Sequence, residues 1–132
     1  MTPKGLTETN GHGSVVLARD ADTGRLLADR VALAVTRSAR RKGLLGKDGL
    51  ERGEALWIAP CRGVHTMGMR FAIDVIALDD DGRVIDCVED MGPWRLRLPR
   101  RGTAGVLELA AGTLSAAGTR VGHVITFEHP RR

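Results

Sequence analysis

The pattern of apolar and polar positions is sharpest between Phe71 and Glu89. Phe71, Ile73, Val75 and Ala77 fall on one side of an extended segment, and Ala72, Asp74, Ile76 and Leu78 on the other, because successive side chains of a strand point to opposite faces. Both sides are apolar except at Asp74, which predicts a strand over Phe71–Leu78 covered on both faces. Asp79-Asp80-Asp81-Gly82 predicts a hairpin turn, since glycine accepts the positive φ that a tight turn demands, and the return strand runs Arg83–Glu89. With a two-residue turn at Asp81-Gly82, Leu78 faces Ile85, Ile76 faces Cys87 and Asp74 faces Glu89; a three-residue turn sets Val88 against Asp74 instead. A facing Asp74–Glu89 pair would repel, and one member would keep its proton to higher pH. The structural alternatives for Asp74 are a pairing with Arg70 or the capping of backbone N–H groups.

Before this hairpin, Ser14–Arg19, Arg25–Ala28 and Arg30–Val35 read as strands, with a turn at Asp20–Gly24. Thr36 or Ser38 caps a short helix that runs through Leu45 and closes at Gly46, with Arg37, Arg40, Arg41 and Lys42 mostly outward and Leu44 and Leu45 inward. Gly43 weakens that helix unless a close approach requires it. Ala55–Ala59 is a strand ended by Pro60. After the hairpin, Met91-Gly92-Pro93-Trp94 breaks regular structure, and Trp94 either covers the core edge or walls a pocket. Leu96 and Leu98 alternate with Arg95 and Arg97, as on an exposed edge blunted by charge. Ala104–Ala110 is an apolar strand interrupted by Glu108, a carboxylate expected to find a buried partner. Gly112–Gly118 is a turn or a single helical turn, and Gly122–Glu128 is the last strand. About eight strands and one short helix give a mainly β fold, a single-domain β-sandwich or flattened barrel. Residues 1–13 read as a flexible lead-in, 14–128 as the domain and 129–132 as a charged tail.

Composition narrows the partners. The formal charge of +4 comes from 20 basic and 16 acidic residues, and its distribution is uneven. Acids gather at Asp79–Asp81 and Asp86–Asp90, bases at Arg37–Lys47, Arg95–Arg101 and Arg131-Arg132. With no Tyr, two Phe and two Trp, the chain lacks a stacking platform for single-stranded nucleic acid, so no nucleic acid partner is expected. No apolar run has the length of a membrane span. The first residues lack the charged-then-apolar order of a signal peptide, so the expected location is cytoplasmic and the two cysteines are expected as free thiols.

Candidate chemistry concentrates in Cys61-Arg62-Gly63-Val64-His65-Thr66-Met67-Gly68-Met69-Arg70. A cysteine and a histidine can make a thiolate nucleophile with a base, oriented by Asp74 or Glu108. That makes Cys61, His65, Asp74 and Glu108 the catalytic candidates of a hydrolase-like enzyme. Cys61, His65, Met67 and Met69 are also soft enough for copper, but no zinc-type ligand spacing is present and no metal set is assigned. The bland reading is a buried thiol, a hydrogen-bonded histidine and core methionines. The reading preferred from the sequence is a binding or interaction module. Its ligand, a small polar or anionic molecule or a protein segment, would meet His65, Met69, Arg70, Asp74 and Trp94. No cofactor is identified.

Four blocks carry a resemblance. They are Thr36–Leu45, Val64–Asp74, Leu78-Asp79 with Asp81–Val84, and Val106–Gly112. With them the chain resembles the family known as domain of unknown function 192. The resemblance implies a β-rich, sandwich-like domain with a short helix near its start, and it imports no function. The family's methionine, basic residue and following aspartate fall here on Met69, Arg70 and Asp74. Many members have proline where this chain has Ala72, and the family's late Gly-Asp step is Gly122-His123 here, an imidazole in place of a carboxylate.

Overall fold

The computed structural model describes residues 16–61, 63–97 and 100–129. The lead-in expected at 1–13, the first residues of the first strand, Leu98, and the tail beyond His129 lie outside the described residues. In chain order the elements are β1 Leu17–Asp20, β2 Leu26–Ala28, β3 Arg30–Ala34, α1 Arg37–Lys42, β4 Glu54–Ile58, β5 Val64–His65, β6 Ile73–Leu78, β7 Val84–Met91, β8 Leu96–Arg97, β9 Gly105–Ala110, α2 Thr113–Ala117 and β10 Ile125–Glu128.

A five-stranded sheet in the order β3-β4-β9-β6-β7 forms the middle of the molecule. Its strands are antiparallel except β3 and β4, which pair in parallel around α1. One face is covered by a three-stranded antiparallel sheet, β10-β1-β2, and by α2. Between them lies a core that includes Val16, Ala18, Trp57, Ile76, Leu78, Leu107, Leu109, Leu114 and Phe127. The other face carries a second core of Leu44, Leu56, Ile58, Val64, Met69, Ile73, Val75 and Val106, under α1 and the small β5–β8 sheet. The mainly β fold is therefore as the sequence predicts. The differences are α2, a second short helix where a bare turn was an equal option, and the parallel crossover through α1. At the heart of the first core Trp57 stacks obliquely on Phe127, with ring centroids 5.3 Å apart. A side chain at Gly105 would meet the Trp57 ring at 2.6 Å, so the close fit of ring on backbone needs a glycine there.

The alternation read from β6 holds on both faces. Ile73, Val75 and Ala77 enter the second core and Ile76 and Leu78 the first. The turn into β7 is a three-residue loop: Asp79 N–H donates to Arg83 O (3.0 Å), and Gly82 has φ +82°. It sets Leu78 opposite Val84, and a bulge then restores the other expected register, with Ile76 opposite Cys87 and Val75 opposite Val88. A second bulge near Asp74 keeps that residue from facing either Glu89 or Val88. Asp74 is fully buried while Glu89 is exposed, so the carboxylate pair considered above does not form.

Asp74 is instead an acceptor for backbone donors. Its Oδ1 accepts from Asp90 N–H (2.8 Å), which stands at φ +52° in the bulge, and its Oδ2 accepts from Leu114 N–H (2.9 Å) in the first turn of α2. Arg70, the other partner considered for it, forms an exposed ion pair with Asp48 (3.0 Å). One carboxylate thus ties the edge of the central sheet to the helix that closes its first face. Asp74→Ala leaves two donors without a partner, at about 1–3 kcal/mol each when buried. The expected loss is roughly 2–4 kcal/mol in urea unfolding, with the Asp90 and Leu114 amides losing hydrogen-exchange protection. A loss under about 0.5 kcal/mol, the scale of an ordinary surface substitution, would contradict this role.

Candidate functional site

A cavity of about 110 Å³ opens on the second face of the central sheet. Its wall contains Cys61, His65, Met69 and Glu108, four of the residues picked from the sequence, together with Arg40, Arg41 and Lys42 of α1 and the Gly43-Leu44-Leu45 turn that follows. A volume near 100 Å³ holds a few water molecules or the polar end of a small ligand.

Each wall residue is brought in by a separate local device. Thr36 caps α1, its hydroxyl accepting from Ala39 N–H (3.1 Å). The helix ends at Gly43, φ +49°, rather than running on to Gly46 as the sequence suggested. That early stop drops Leu44 into the second core and leaves the basic last turn over the cavity. Arg40 is half-buried, donates through Nη1 to Val35 O (2.9 Å) and contributes to the cavity wall. His65 and Met69 flank Thr66, a fully buried residue that the sequence reading passed over. The Thr66 hydroxyl donates to Gly92 O (2.6 Å) and accepts from Arg95 N–H (2.9 Å), while its carbonyl accepts from Met69 N–H and Trp94 N–H. This knot fixes the His65–Met69 segment against β8.

Glu108 is the unusual member. It sits in β9 between Leu56 of β4 and Val75 of β6, both in the second core. Only 4 % of its surface is exposed. No hydrogen bond or ion pair reaches its carboxylate among the described residues, contrary to the buried partner expected from the sequence. Burial pushes its carboxyl up from the ordinary 4.5 to about 7, because the charged form loses most of its hydration there and gains no partner.

Cys61 is a thiol here. Its Sγ donates to Gly63 O (2.9 Å). Burial pushes the thiol up; the Gly63 bond opposes this, the Glu108 charge adds to it, and Arg40 opposes it. No hydrogen bond links it to the His65 imidazole among the described residues, so the activated thiolate–imidazole pair of the hydrolase reading is absent from this arrangement. Neither cysteine is in a disulfide, and Cys87 is pushed up to about 11, first by burial and then by Asp86.

The remaining sequence candidates lie elsewhere. Asp74 is on the opposite face of the sheet, bonded as described. Arg70 and Trp94 do not line the cavity; Trp94 is 70 % exposed at φ +62° and does not cover the core edge. Met67, one of the soft-metal candidates, is exposed and also off the wall. Among the described residues, the metal-type side chains whose donor atoms converge, within 4.8 Å of one another, are Asp20, Asp22 and His123. Asp20 accepts there from Thr119 Oγ1 and is bonded to His123 Nδ1, both at 2.8 Å, and also accepts from Asp22 and Thr23 N–H. Burial would raise its carboxyl, and these four bonds, from His123 foremost, outweigh that and lower it. The group is a turn network joining β1 to the approach to β10.

The fold and cavity define a class: a small double-layered β domain with a cationic helical turn over a buried, unpaired carboxyl. The chain belongs to the DUF192 family, described as an uncharacterized ACR, which matches residues 18–127. A UPF0127 protein of Thermococcus sibiricus is 27 % identical over 110 residues, covering 80 % of this chain and 70 % of that one. A UPF0127 protein of Pyrococcus furiosus is 37 % identical over 59 residues, 45 % of this chain and 50 % of that one. Two crystal structures share the fold. A candidate transcription regulator from Sinorhizobium meliloti superposes with a TM-score of 0.73 at 24 % identity, over 89 % of this chain and 98 % of that one. A protein of unknown function from Novosphingobium aromaticivorans gives 0.72 at 23 %, over 91 % and 89 %. At such identity the likeness carries the fold alone.

Two outcomes follow from this chemistry. The unfolded chain releases the Glu108 proton near 4.5 and the folded chain near 7, so stability falls as pH rises between those values and the penalty is complete above them. A rise of that size is worth roughly 3 kcal/mol. Glu108→Gln should therefore be more stable than wild type at pH 8 by up to roughly that amount, with little difference at pH 4.5. Equal stability of the two proteins at both pH values would contradict an unpaired carboxyl. Cys61 should alkylate at pH 7.4 more slowly than a free thiol, at a rate unchanged by His65→Ala; a fast reaction abolished by that substitution would restore the nucleophile reading.

Proposed function

We propose that the protein is a ligand-binding module and that the cavity under α1 takes the anionic end of a small polar ligand. The observation that carries this reading is the pairing of opposites across the cavity: Arg40, Arg41 and Lys42 on the rim, and Glu108 held without a partner in the wall. Below about pH 7 the Glu108 carboxyl is neutral and can donate a hydrogen bond to an anion. Above that pH its charge repels one, at short range and in a poorly solvated site. A bound anion would in turn raise the Glu108 pKa further, so binding at pH 8 takes up a proton.

The test is calorimetric titration with inorganic phosphate, sulfate and acetate at pH 6 and pH 8. At least one of these should bind at pH 6 and lose on the order of tenfold in affinity at pH 8, a difference near 1.4 kcal/mol. Glu108→Gln should flatten that dependence, and Lys42→Gln with Arg41→Gln should weaken binding at both pH values. No binding by any of the three, or binding by wild type that ignores pH, contradicts the reading.

The same carboxyl favours a second reading, an enzyme that uses Glu108 as general acid–base, since a group titrating near 7 suits proton transfer at neutral pH. It differs from the first in requiring turnover that Glu108→Gln abolishes and Cys61→Ser preserves.

A further inference from the structure

On the opposite face of the central sheet, a cleft of about 290 Å³ lies between β2, α2 and the loop before β4. It shares no residue with the cavity under α1. Its size is at the lower edge of ligand-binding clefts, which start at roughly 300 Å³. Leu27, Ala28 and Ala117, all buried, give it an apolar floor, and Leu26 stands exposed at its margin.

Two arginines from separate segments reach it from opposite ends of α2. Arg25 is anchored by Nη1 donating to Ala116 O (3.1 Å), which fixes its guanidinium and leaves its other donors available. Arg52 extends toward the start of α2, its Nη2 3.8 Å from where a Cβ on Gly112 would stand, and its guanidinium has no hydrogen bond among the described residues. The acid at the margin, Asp29, is held by Arg30 (3.1 Å), so the cleft keeps an excess of positive charge. Thr113 also belongs to the wall; it is 6 % exposed, and its Oγ1 is buried without a partner. An orphaned hydroxyl is costly, and a polar ligand atom in the cleft would complete it after a rotation about its side-chain bond.

We propose that this cleft is a binding site for a short-chain aliphatic carboxylate, its carboxylate held between Arg25 and Arg52 and its chain laid on Leu27, Ala28 and Ala117. Guanidinium groups suit a carboxylate because their N–H donors form a planar fork that can bind both oxygens. The apolar floor selects for a body that inorganic anions lack.

The experiment is a ¹H–¹⁵N correlation titration of the whole protein with hexanoate, hexan-1-ol and inorganic phosphate. Hexanoate should shift the amides of residues 26–28 and 113–117 saturably. Hexan-1-ol and phosphate should shift them at least tenfold more weakly. Arg25→Gln and Arg52→Gln should each weaken hexanoate on the order of tenfold, the effect of one charge-assisted contact. Arg101→Gln, exposed and outside both cavities, should leave the hexanoate shifts of these amides unchanged. Thr113→Val should weaken it several-fold without unfolding the protein. Absence of saturable shifts, equal binding of the alcohol, equal or tighter binding of phosphate, or hexanoate binding indifferent to both cleft arginine substitutions would each overturn the proposal.

Discussion

Burying β6 and β9 on both faces is the constraint that orders this structure. A strand covered on both sides leaves no solvent for any polar side chain it carries, so each such group must be given partners or forced to its neutral form. The two strands carry one acid each, Asp74 and Glu108, next to each other in the pairing register: Val75 faces Glu108, and Asp74 faces Leu109. Because side chains alternate, the two acids emerge on opposite faces. On the first face Asp74 meets the open donors of α2 and of the β7 bulge and becomes a strut. On the second face Glu108 meets aliphatic side chains and the wall of a cavity, and it is pushed toward neutrality. Identical chemistry one residue apart in the ladder thus gives a structural group and a candidate functional group.

The rest of the cavity follows from what covers that second face. The parallel pairing of β3 and β4 needs a crossover, and the crossover is α1. Its short length and early end at Gly43 leave Arg40, Arg41 and Lys42 in the wall of the cavity. The Thr66 knot supplies the other side, holding His65 and Met69 where a free loop would not keep them. Glu108 and Arg40 also act on Cys61 in opposite senses, which binds the thiol's behaviour to the protonation of its neighbour.

Much of this was legible in the chain. The alternation in Phe71–Leu78 matches both faces of β6, and Cys61, His65 and Met69 line one cavity with Glu108. What failed were statements that depend on long-range geometry. Two bulges in the β6–β7 pairing, invisible in an alternating pattern, removed the Asp74–Glu89 pair. Asp74 does cap backbone N–H groups, one of the alternatives its sequence setting offers, but the donors lie 16 and 40 residues away and no local spacing announces which they are. The size of Trp94 points to the core edge or a pocket wall, whereas its positive φ and its backbone bond to Thr66 go with a ring exposed at the surface. Thr66 carried no signal beyond its place between His65 and Met69.

The cavity's chemistry turns on Glu108, which has no partner among the described residues and is pushed up to about 7 by burial. Its side-chain carboxyl carbon, labelled with ¹³C and followed by NMR from pH 3 to pH 9, reports this directly. A single transition centred about pH 7 is expected. A midpoint at or below 4.5, the ordinary value for glutamate, would mean that the group is paired or solvated in solution and that the cavity holds no neutral carboxyl near pH 6.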